Sequence, residues 1–383
     1  MYVRQLLMHF KTDILIIGGG LAGLTAALHL QKAGLPVILI EKNAFPFHKV
    51  CGEYISNEVL PYLRWLGIFP EELGALTIEK LRFTSPSGKG LTTQLPLGGF
   101  GISRFKLDNV LYELFKSRGG TAWTDTVSTI SYRNGFEITT LAGKTISAQQ
   151  VIGAYGKRSV IDTQLQRPFI KNRSPFLAVK AHYRGKLEKD TVELHNFRGG
   201  YCGVSGIEDD KINICYLADY DTFKKYKDIS AYQLNVLYQN KHLKDIFERS
   251  KLLFESPITI SQLSFGIKEA VNEHILMVGD TAGLIHPLCG NGMSMAMHSA
   301  KICSELLIQY FSGIIESRPQ LEELYTSLWK QQFKPRIHMG NILSKLLQRE
   351  KLTEAVMNGM VLFPALMPLI IKHTHGKTLT VHE

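Results

Sequence analysis

The stretch Asp13–Gly23, which reads DILIIGGGLAG, decides the fold of this chain. Its first five residues form the short apolar run that is typical of a strand buried on both faces. Residues 24–33 follow with apolar side chains at the three- and four-residue spacing of a helix. Between them, Gly18 makes a tight turn, Gly20 lets the backbone approach a pyrophosphate, and Gly23 lets helix and strand pack closely. The pattern predicts the first half of a dinucleotide-binding unit.

A second apolar run completes this unit. It covers residues 37–40 and ends at Glu41, about twenty residues after the glycines. A carboxylate at this place accepts hydrogen bonds from ribose hydroxyls and disfavours a 2′-phosphate, which predicts an unphosphorylated adenosine nucleotide. Lys42, together with Leu21 and Ala22 at the start of the helix, completes the predicted nucleotide-binding set. No second strand–GxGxxG–helix unit follows, which excludes the architecture that uses two such units.

A second motif, GDTAGLIHPLCGNGM, covers residues 279–293 and follows a third apolar run at 274–278. It places Asp280 at the carboxyl edge of the sheet, where open α/β folds bind ligands, although an aspartate there can also cap a turn. The glycine-bounded loop then opens a helix predicted over 292–311, whose N-terminus can stabilise negative charge on a reduced ring system. The residues predicted to bind the nucleotide here are Gly279, Asp280, Gly290, Asn291, Gly292 and Met293.

The composition limits the classes of protein and of binding partner that fit this chain. The 383 residues, 45% hydrophobic and 20% charged, predict a globular protein of two joined domains. The net charge of +10 permits a pyrophosphate, a membrane surface or nucleic acid, but the scattered basic residues and the absence of a nucleic-acid-binding motif argue against nucleic acid. The odd number of cysteines, without CxxC or metal-binding spacing, predicts no metal and, with no signal peptide, favours a reducing, cytoplasmic setting. The cysteines are Cys51, Cys202, Cys215, Cys289 and Cys303.

The glycine turn with Glu41 and the segment 279–293 together resemble the FAD-dependent family of geranylgeranyl reductases and p-hydroxybenzoate-hydroxylase-like monooxygenases. The similarity covers roughly residues 12–345. It implies bound FAD, with the ADP half at the turn and Glu41, Asp280 at the ribityl chain and residues 290–293 facing the flavin ring. SRFKLDNVL (103–111) is similar to the family's arginine-plus-LD helix, so Arg104 is expected to contact the cofactor.

A further segment, KVCGEYIS (49–56), resembles the part of the geranylgeranyl reductases in which a Cys-Gly pair lies beside the isoalloxazine. The resemblance therefore makes Cys51 the candidate catalytic residue, either as a proton donor or as a group that modifies the reactivity of the flavin. The alternative is that Cys51 is a small apolar residue that only packs in the loop. Lys49 and His48 are expected to favour its thiolate.

Other positions depart from the family. The family's middle DG motif reads GAYGKRS (153–159) in this chain. Tyr155 therefore stands in place of the acid to which an NADPH contact is usually attributed in the family. NAD(P)H is nevertheless the expected electron donor. The halogenases' Trp-x-Trp pattern is absent, which argues against halogenation. Tyr201 and Tyr216 are expected to line a substrate cavity, with half-buried packing as the alternative.

The predicted fold class is α/β, an α+β composite with a Rossmann-like FAD-binding domain, an inserted antiparallel β-sheet substrate domain and a helical C-terminus. The FAD-binding domain is expected to comprise residues 1–75, 100–165 and 270–315, and the substrate domain residues 76–99 and 166–269. Residues 316–383 form the C-terminal segment. Further helices are predicted over 105–117, 229–249 and 319–358.

The function that this pattern favours is reduction of carbon–carbon double bonds in a hydrophobic small molecule, an isoprenoid or similar lipid. The alternatives are hydroxylation of a phenolic or polyketide-like ring and, from another class, a non-catalytic prenyl-binding escort protein. Residues 356–371, VMNGMVLFPALMPLII, are interrupted by Pro364 and Pro368 and are too short for a confident membrane span. They predict either a pocket-lining tail or a peripheral membrane contact of an otherwise cytoplasmic protein.

Overall fold

The structure, a computed structural model, describes residues 9–171, 174–226 and 228–381. The strands are β1 (His9–Ile17), β2 (Val37–Glu41), β3 (Tyr54–Ser56), β4 (Leu76–Thr84), β5 (Gly90–Gly101), β6 (Thr121–Thr124), β7 (Val127–Tyr132), β8 (Phe136–Thr140), β9 (Thr145–Gly153), β10 (Phe176–Arg184), β11 (Thr191–Phe197), β12 (Gly200–Ile207), β13 (Lys211–Asp219), β14 (Lys251–Leu252), β15 (Ile258–Ser261), β16 (Gly266–Ile267), β17 (Val271–Asn272), β18 (Ile275–Met277) and β19 (Gly283–Leu284). The helices are α1 (Leu21–Lys32), α2 (Leu60–Leu66), α3 (Arg104–Ser117), α4 (Val160–Gln164), α5 (Tyr220–Lys224), α6 (Ile229–Asn235), α7 (Lys241–Glu248), α8 (Gly292–Phe311), α9 (Arg318–Leu347), α10 (Glu350–Leu362) and α11 (Leu366–Thr374).

The first sheet has a parallel core in the order β18-β9-β1-β2-β6, with β17 antiparallel at its edge and the β7–β8 hairpin beside β9. Strand β1 lies in the middle, where Ile16 pairs with Leu39 on one side and Ile152 on the other. Its residues 14–17 are buried because helices cover the sheet, as the continuous apolar run predicted. The predicted βαβ unit is confirmed, and α1 begins three residues earlier than the apolar spacing suggested, at Leu21.

The second sheet has the order β14-β10-β13-β12-β11-β4-β5-β3 and is antiparallel except for the parallel pair β4–β11. It brings together the segments 76–101 and 176–261, which lie far apart in the sequence. Strand β3 also joins it by pairing with β5, although residues 54–56 fall within the range predicted for the FAD-binding domain. The predicted fold class is confirmed, whereas the domain boundaries stay a prediction.

The helical predictions need two corrections. The helix expected over 229–249 is broken between α6 and α7, because the Asn240 backbone is extended and its buried side chain donates to Thr84 Oγ1, the Ser85 carbonyl and the Asn196 carbonyl. The helix expected over 319–358 is likewise divided into α9 and α10.

The C-terminal helices pack against the second sheet. Helix α9 contacts α8, and both α10 and α11 contact β5. Within the described ranges no single helix is long and apolar enough to cross a membrane. Leu352–Leu362 and Leu366–Thr374 reach that length and composition only as a pair, and this pair is bent by 117°.

Candidate active site

A cavity of about 710 Å³ extends between the two sheets. Its polar end lies at the β1–α1 turn, its middle at the 279–293 loop, and its other end between the second sheet and the C-terminal helices. Of the predicted site residues, those that line it are Gly20, Leu21, Ala22, Glu41, Lys42, Cys51, Arg104, Tyr201, Tyr216, Gly279, Asp280, Gly290, Gly292 and Met293. The structure therefore brings together residues that the sequence separates by more than 270 positions.

The glycine turn fits a pyrophosphate for reasons visible in its backbone. Gly18 has a φ of 108°, and a Cβ there would collide with the Ala154 carbonyl. A Cβ at Gly23 would collide with the carbonyl of Gly18, so both glycines are needed although neither lines the cavity. At Gly20 the space is open, and an added Cβ would lie 3.7 Å from Arg104 Nη2 and 3.9 Å from Lys49 Nζ. The open side of the turn thus faces two cations.

A buried carboxylate holds these two cations in place. Asp108 accepts from Arg104 Nε at 2.7 Å, from Arg104 Nη2 at 2.8 Å and from Lys49 Nζ at 2.8 Å. Burial opposes its ionisation, but the charges of Arg104 and Lys49 outweigh burial and lower its pKa. Burial lowers the pKa of Lys49. The i,i+4 spacing of Arg104 and Asp108 was visible in the sequence, whereas nothing local connected Lys49 to them.

The helix and the acid at this end complete the anion site. Helix α1 has no side-chain cap at Gly20 and no acidic residue in its first turn, so its first amides are available to an anion. The Glu41 carboxylate lines the cavity and accepts from the Gly19 amide at 2.7 Å and the Asn43 amide at 3.0 Å. These contacts fix the carboxylate beside the turn, where a ribose would follow a bound pyrophosphate.

The Gly279-Asp280 segment is held by its main chain. Lys268 Nζ donates to the Asp280 carbonyl at 2.8 Å, and Arg167 Nη1 donates to the Thr281 carbonyl at 2.9 Å. Burial lowers the pKa of Lys268 to about 8. Among the described residues no group donates to the Asp280 carboxylate, so it does not cap the turn and is available to a hydroxyl of the cofactor.

The loop before α8 agrees with prediction except at Asn291. Gly290, Gly292 and Met293 line the cavity, and α8 begins at Gly292 without a side-chain cap or an acid in its first turn. The Asn291 side chain instead donates from Nδ2 to the buried Glu58 Oε1 at 2.6 Å. The Asn291 side chain therefore positions the loop, and the predicted contact of this residue with the cofactor stays a prediction.

Sequence reasoning missed the groups that hold the Cys51 loop, defined as residues 49–53. Side chains from distant elements donate to four consecutive main-chain carbonyls of this loop. The donors and distances are Lys180 to Lys49 at 3.2 Å, Lys157 to Val50 at 3.2 Å, Asn213 to Cys51 at 3.2 Å and Ser205 to Gly52 at 3.0 Å. Three of these donors belong to β10, β12 and β13, so the second sheet determines where the thiol of Cys51 lies.

The charges expected beside Cys51 are directed elsewhere. The Lys49 ammonium contacts Asp108, and His48 stacks on Phe105 and lies tilted against Phe254. Burial lowers the pKa of His48 to about 4, so this ring is neutral at pH 7. The expectation that these two residues favour a Cys51 thiolate is therefore not supported. The thiol itself is partly exposed and lines the cavity.

The two predicted tyrosines both border the other half of the cavity, but their rings lie on opposite faces of the second sheet: Tyr201 on the cavity side, and Tyr216 in the packing on the far side. Tyr201 on β12 lies beside His286 with ring centroids 5.8 Å apart, and Tyr216 on β13 makes an edge contact with Phe197. Burial raises the pKa of both hydroxyls, so both are protonated at neutral pH. Within the described part of the chain the Tyr216 hydroxyl has no hydrogen-bond partner.

Known proteins similar to this chain match it along most of its length. It is 25% identical to conditioned medium factor receptor 1 from Dictyostelium discoideum, over 88% of this chain and 71% of that protein. It is 25% identical to a digeranylgeranylglycerophospholipid reductase from Methanosarcina acetivorans, over 83% of this chain and 80% of that protein. It is 23% identical to a ubiquinone hydroxylase from Neisseria meningitidis, over 96% and 86%.

The segment at the polar end of the cavity matches a known family model. Residues 13–50, which contain the glycine turn and Glu41, match the model described as FAD dependent oxidoreductase. The chain is an FAD-dependent oxidoreductase. The predicted cofactor FAD, the predicted enzyme class and the resemblance to geranylgeranyl reductases and hydroxylases are thereby confirmed, and nothing supports the non-catalytic escort alternative.

Solved structures share the whole fold of this oxidoreductase. A geranylgeranyl bacteriochlorophyll reductase-like protein from Thermoplasma acidophilum aligns with a TM-score of 0.75 at 19% identity, covering 91% of each chain. The flavin-dependent brominase Bmp2 aligns with a TM-score of 0.77 at 17% identity, covering 95% of this chain and 94% of the brominase. At these identities the two alignments establish the fold and leave the reaction to the chemistry of the cavity.

Proposed function

We propose that the protein reduces carbon–carbon double bonds of an isoprenoid or similarly lipid-like substrate, with NAD(P)H as electron donor. The observation that carries this proposal is the apolar chamber at the end of the cavity opposite the glycine turn. We define the chamber by six lining residues: Leu81, Phe83, Val192, Leu217, Met360 and Ile371. A chamber lined by such side chains favours a hydrocarbon chain, because the chain leaves water on entering it.

The chain's residues provide the cofactor site as follows. Arg104, Lys49 and the first amides of α1 bind the pyrophosphate, while Glu41 and Asp280 accept from hydroxyls of the ribose and the ribityl chain. The uncapped start of α8 favours negative charge on the ring system. Once reduced by NAD(P)H, the bound FAD would supply the hydride that adds to one carbon of the substrate double bond.

Cys51 is the proposed proton donor. Its thiol gives a proton to the second carbon of the double bond, and water returns a proton to the sulfur afterwards, so that the product contains two additional hydrogens. Only a protonated sulfur can act in this way. The four bonded carbonyls of the Cys51 loop keep the sulfur at a fixed place in the cavity wall.

Hydroxylation of a phenolic ring is the second candidate. The similarity to the ubiquinone hydroxylase, which covers 96% of this chain, favours it. The Tyr201 side chain lies in the cavity wall, where its hydroxyl can bond to a phenolic oxygen. This reaction would consume oxygen and NAD(P)H and would leave one oxygen atom in the product and one in water.

The test uses purified protein saturated with FAD. Flavin absorbance is followed without oxygen while NADPH or NADH is added, and a polyprenyl alcohol is then supplied. The proposal predicts reoxidation of the flavin together with a product that is heavier by two hydrogens for each double bond reduced. In a parallel assay with oxygen and a phenol, phenol-stimulated oxygen consumption, with no saturation of the polyprenyl alcohol in the first assay, would favour hydroxylation and reject the reductase.

The role of Cys51 is tested by Cys51→Ser, with Cys215→Ser as the matched control. Cys215 also lines the cavity, and burial raises the pKa of its thiol to about 12. A proton donor role predicts that saturation slows in Cys51→Ser about 100-fold or more, within the usual contribution of general acid catalysis, and is unchanged in Cys215→Ser. Equal rates in both variants would remove Cys51 from the mechanism.

A further inference from the structure

The turn between α10 and α11 exposes a continuous apolar surface. All six residues of Val361–Leu366, which we call the apolar tip, are exposed, and their sequence is VLFPAL. Leu362 is 74% exposed and Phe363 65%. Leu369, on the next turn of α11, is 53% exposed. Neighbouring large apolar side chains with this exposure mark an interaction site rather than the scattered apolar residues of an ordinary surface.

The same two helices have an inner face that is already used. Met360, Met367 and Ile371 are buried and line the cavity, at the helical spacing that puts Met367 and Ile371 on one side of α11. Leu366 and Leu369 occupy a different side of that helix and are exposed. Packing inside the protein therefore explains why the inner face is apolar. It does not explain why the outer face is apolar, and this face is available to a partner.

Both ends of this helical pair are fixed to the rest of the protein. On α10, the Glu354 carboxylate accepts from the amide and hydroxyl of Ser87, each at 3.0 Å. Beyond α11, the Gly376 amide donates to the buried Glu58 carboxylate, and the Leu379 amide donates to the Glu58 carbonyl at 2.7 Å. The apolar tip thus projects from a supported pair of helices, and Glu58 also holds the flavin-side loop through Asn291.

The charge around the tip suits an anionic lipid surface. The sequence contains no Asp or Glu from Ala355 to Val381, while Lys372 and Lys377 are exposed. Lys372 follows Leu366 by six residues, about 9 Å along a helix, and surface-bound helices insert about 5–10 Å into a bilayer. An inserted tip would therefore place the Lys372 ammonium near the headgroup phosphates.

We propose that the apolar tip inserts into one leaflet of a bilayer that contains anionic lipids, and that the lipid-like substrate enters the cavity from that leaflet between α10 and α11. This inference rests on the proposed function, since the bilayer is the source of a lipid-like substrate. The bend of 117° and the fixed ends of the helical pair fit insertion into one leaflet rather than crossing.

The experiment measures sedimentation of the FAD-loaded full chain with vesicles of phosphatidylcholine, with and without phosphatidylglycerol. The test variant is Leu362→Asp with Phe363→Asp. The matched control, Leu141→Asp with Ile314→Asp, changes two side chains that are 73% and 69% exposed and lie outside the tip. Flavin absorbance and turnover of a detergent-dispersed substrate verify that each variant is folded.

We expect the tip variant to bind vesicles at least about tenfold more weakly than the unaltered protein, because two large apolar side chains no longer leave water. The control should bind as the unaltered protein does. Replacing Lys372 and Lys377 with Ala should weaken binding about fivefold per lysine on vesicles with phosphatidylglycerol, and little on phosphatidylcholine alone.

Three results would overturn the proposal. The unaltered protein does not bind vesicles, or the tip variant binds them as well as the control does, or the protein is a dimer that the tip substitutions dissociate while neither form binds vesicles. The last result would assign the tip to self-association. Tip-dependent vesicle binding without reduction of any polyprenyl substrate would reject the proposed function alone. Slower turnover of a vesicle-embedded polyprenyl substrate by the tip variant, with intact turnover in detergent, would support delivery of substrate through the tip, and equal turnover of the embedded substrate would reject it.

Discussion

Replacing Glu53 with Gln should destabilise the protein strongly, because Glu53 is the anion of a fully buried charge cluster. Its carboxylate accepts from Lys180 Nζ at 2.6 Å, from His182 Nε2 at 2.7 Å and from the Arg104 amide at 2.8 Å. Burial opposes its ionisation, but His182 and Lys180 outweigh burial and lower its pKa. The cluster links the Cys51 loop to β10 and to the start of α3.

The magnitude follows from what the substitution leaves behind. In Glu53→Gln the Lys180 ammonium stays buried without its anion, and breaking a buried pair in this way costs about 3–5 kcal/mol. Glu208→Gln is the matched control. Glu208 is also buried, but among the described residues its carboxylate accepts from the amide and hydroxyl of Ser103, at 2.8 and 2.5 Å, and from no cation, so its loss leaves no described cation unpaired. We expect it to cost about 1–2 kcal/mol.

The assay is urea-induced unfolding followed by circular dichroism, with the dissociation constant of FAD measured by flavin fluorescence. Adding Lys180→Met to Glu53→Gln should restore about 2 kcal/mol or more, because the unpaired cation is then gone. Glu53 has a lowered folded-state pKa. Its stabilising contribution is therefore present above its ordinary value of 4.5 and is lost as the pH falls through the lower folded value. The difference between the unaltered protein and Glu53→Gln should shrink accordingly below pH 4.5.

The reasoning would be refuted if Glu53→Gln cost no more than Glu208→Gln. It would also be refuted if Lys180→Met lowered the unfolding free energy of the Glu53→Gln variant still further. Either result would mean that the cluster is held by packing and hydrogen-bond geometry, and that its charges contribute little.

Three further outcomes are expected. Gly23→Ala should purify without flavin absorbance because its Cβ would collide with the Gly18 carbonyl, whereas Gly135→Ala, whose Cβ would be 3.9 Å from its nearest neighbour, should retain it. Met360→Trp should reduce kcat/KM for long polyprenyl substrates about tenfold by filling the apolar chamber, with the dissociation constant of FAD unchanged. The pKa of Lys268 is lowered by burial from 10.5 to about 8, so the unfolded chain binds more protons between these values and the unfolding free energy should rise with pH there. Lys268→Met should abolish that rise, about 3 kcal/mol, in urea titrations from pH 8 to 10.5.

The part of the fold that the sequence predicted is the part set by local backbone requirements. The collision of a Cβ at Gly23 with the Gly18 carbonyl is a constraint between residues five positions apart, so the glycine pattern reveals it. The start of α8 at Gly292 and the buried strands β1 and β2 are likewise local, since a glycine-bounded turn or an apolar run is complete within a few residues.

The part that the sequence did not predict depends on contacts between distant segments. Lys180 and Asn213 bond to carbonyls more than 100 residues earlier in the chain, and nothing near either residue signals this. The break before α7 has the same origin, because the partners of the Asn240 side chain lie on β4, just after it and on β11. Helical propensity along residues 229–249 contains no information about those partners.

The cofactor end of the cavity depends mainly on local contacts, whereas the substrate end depends on contacts between distant segments. The glycine turn and the first amides of α1, which are proposed to bind the pyrophosphate, lie within the segment 13–50 that matches the family model, and this is why a short motif identified FAD. The substrate end is enclosed by the second sheet and three C-terminal helices, which meet only in the folded chain. The sulfur of Cys51 is positioned by side chains of the same sheet. A relative can therefore keep the glycine turn and change its reaction by substitutions along β10, β12 and β13 alone.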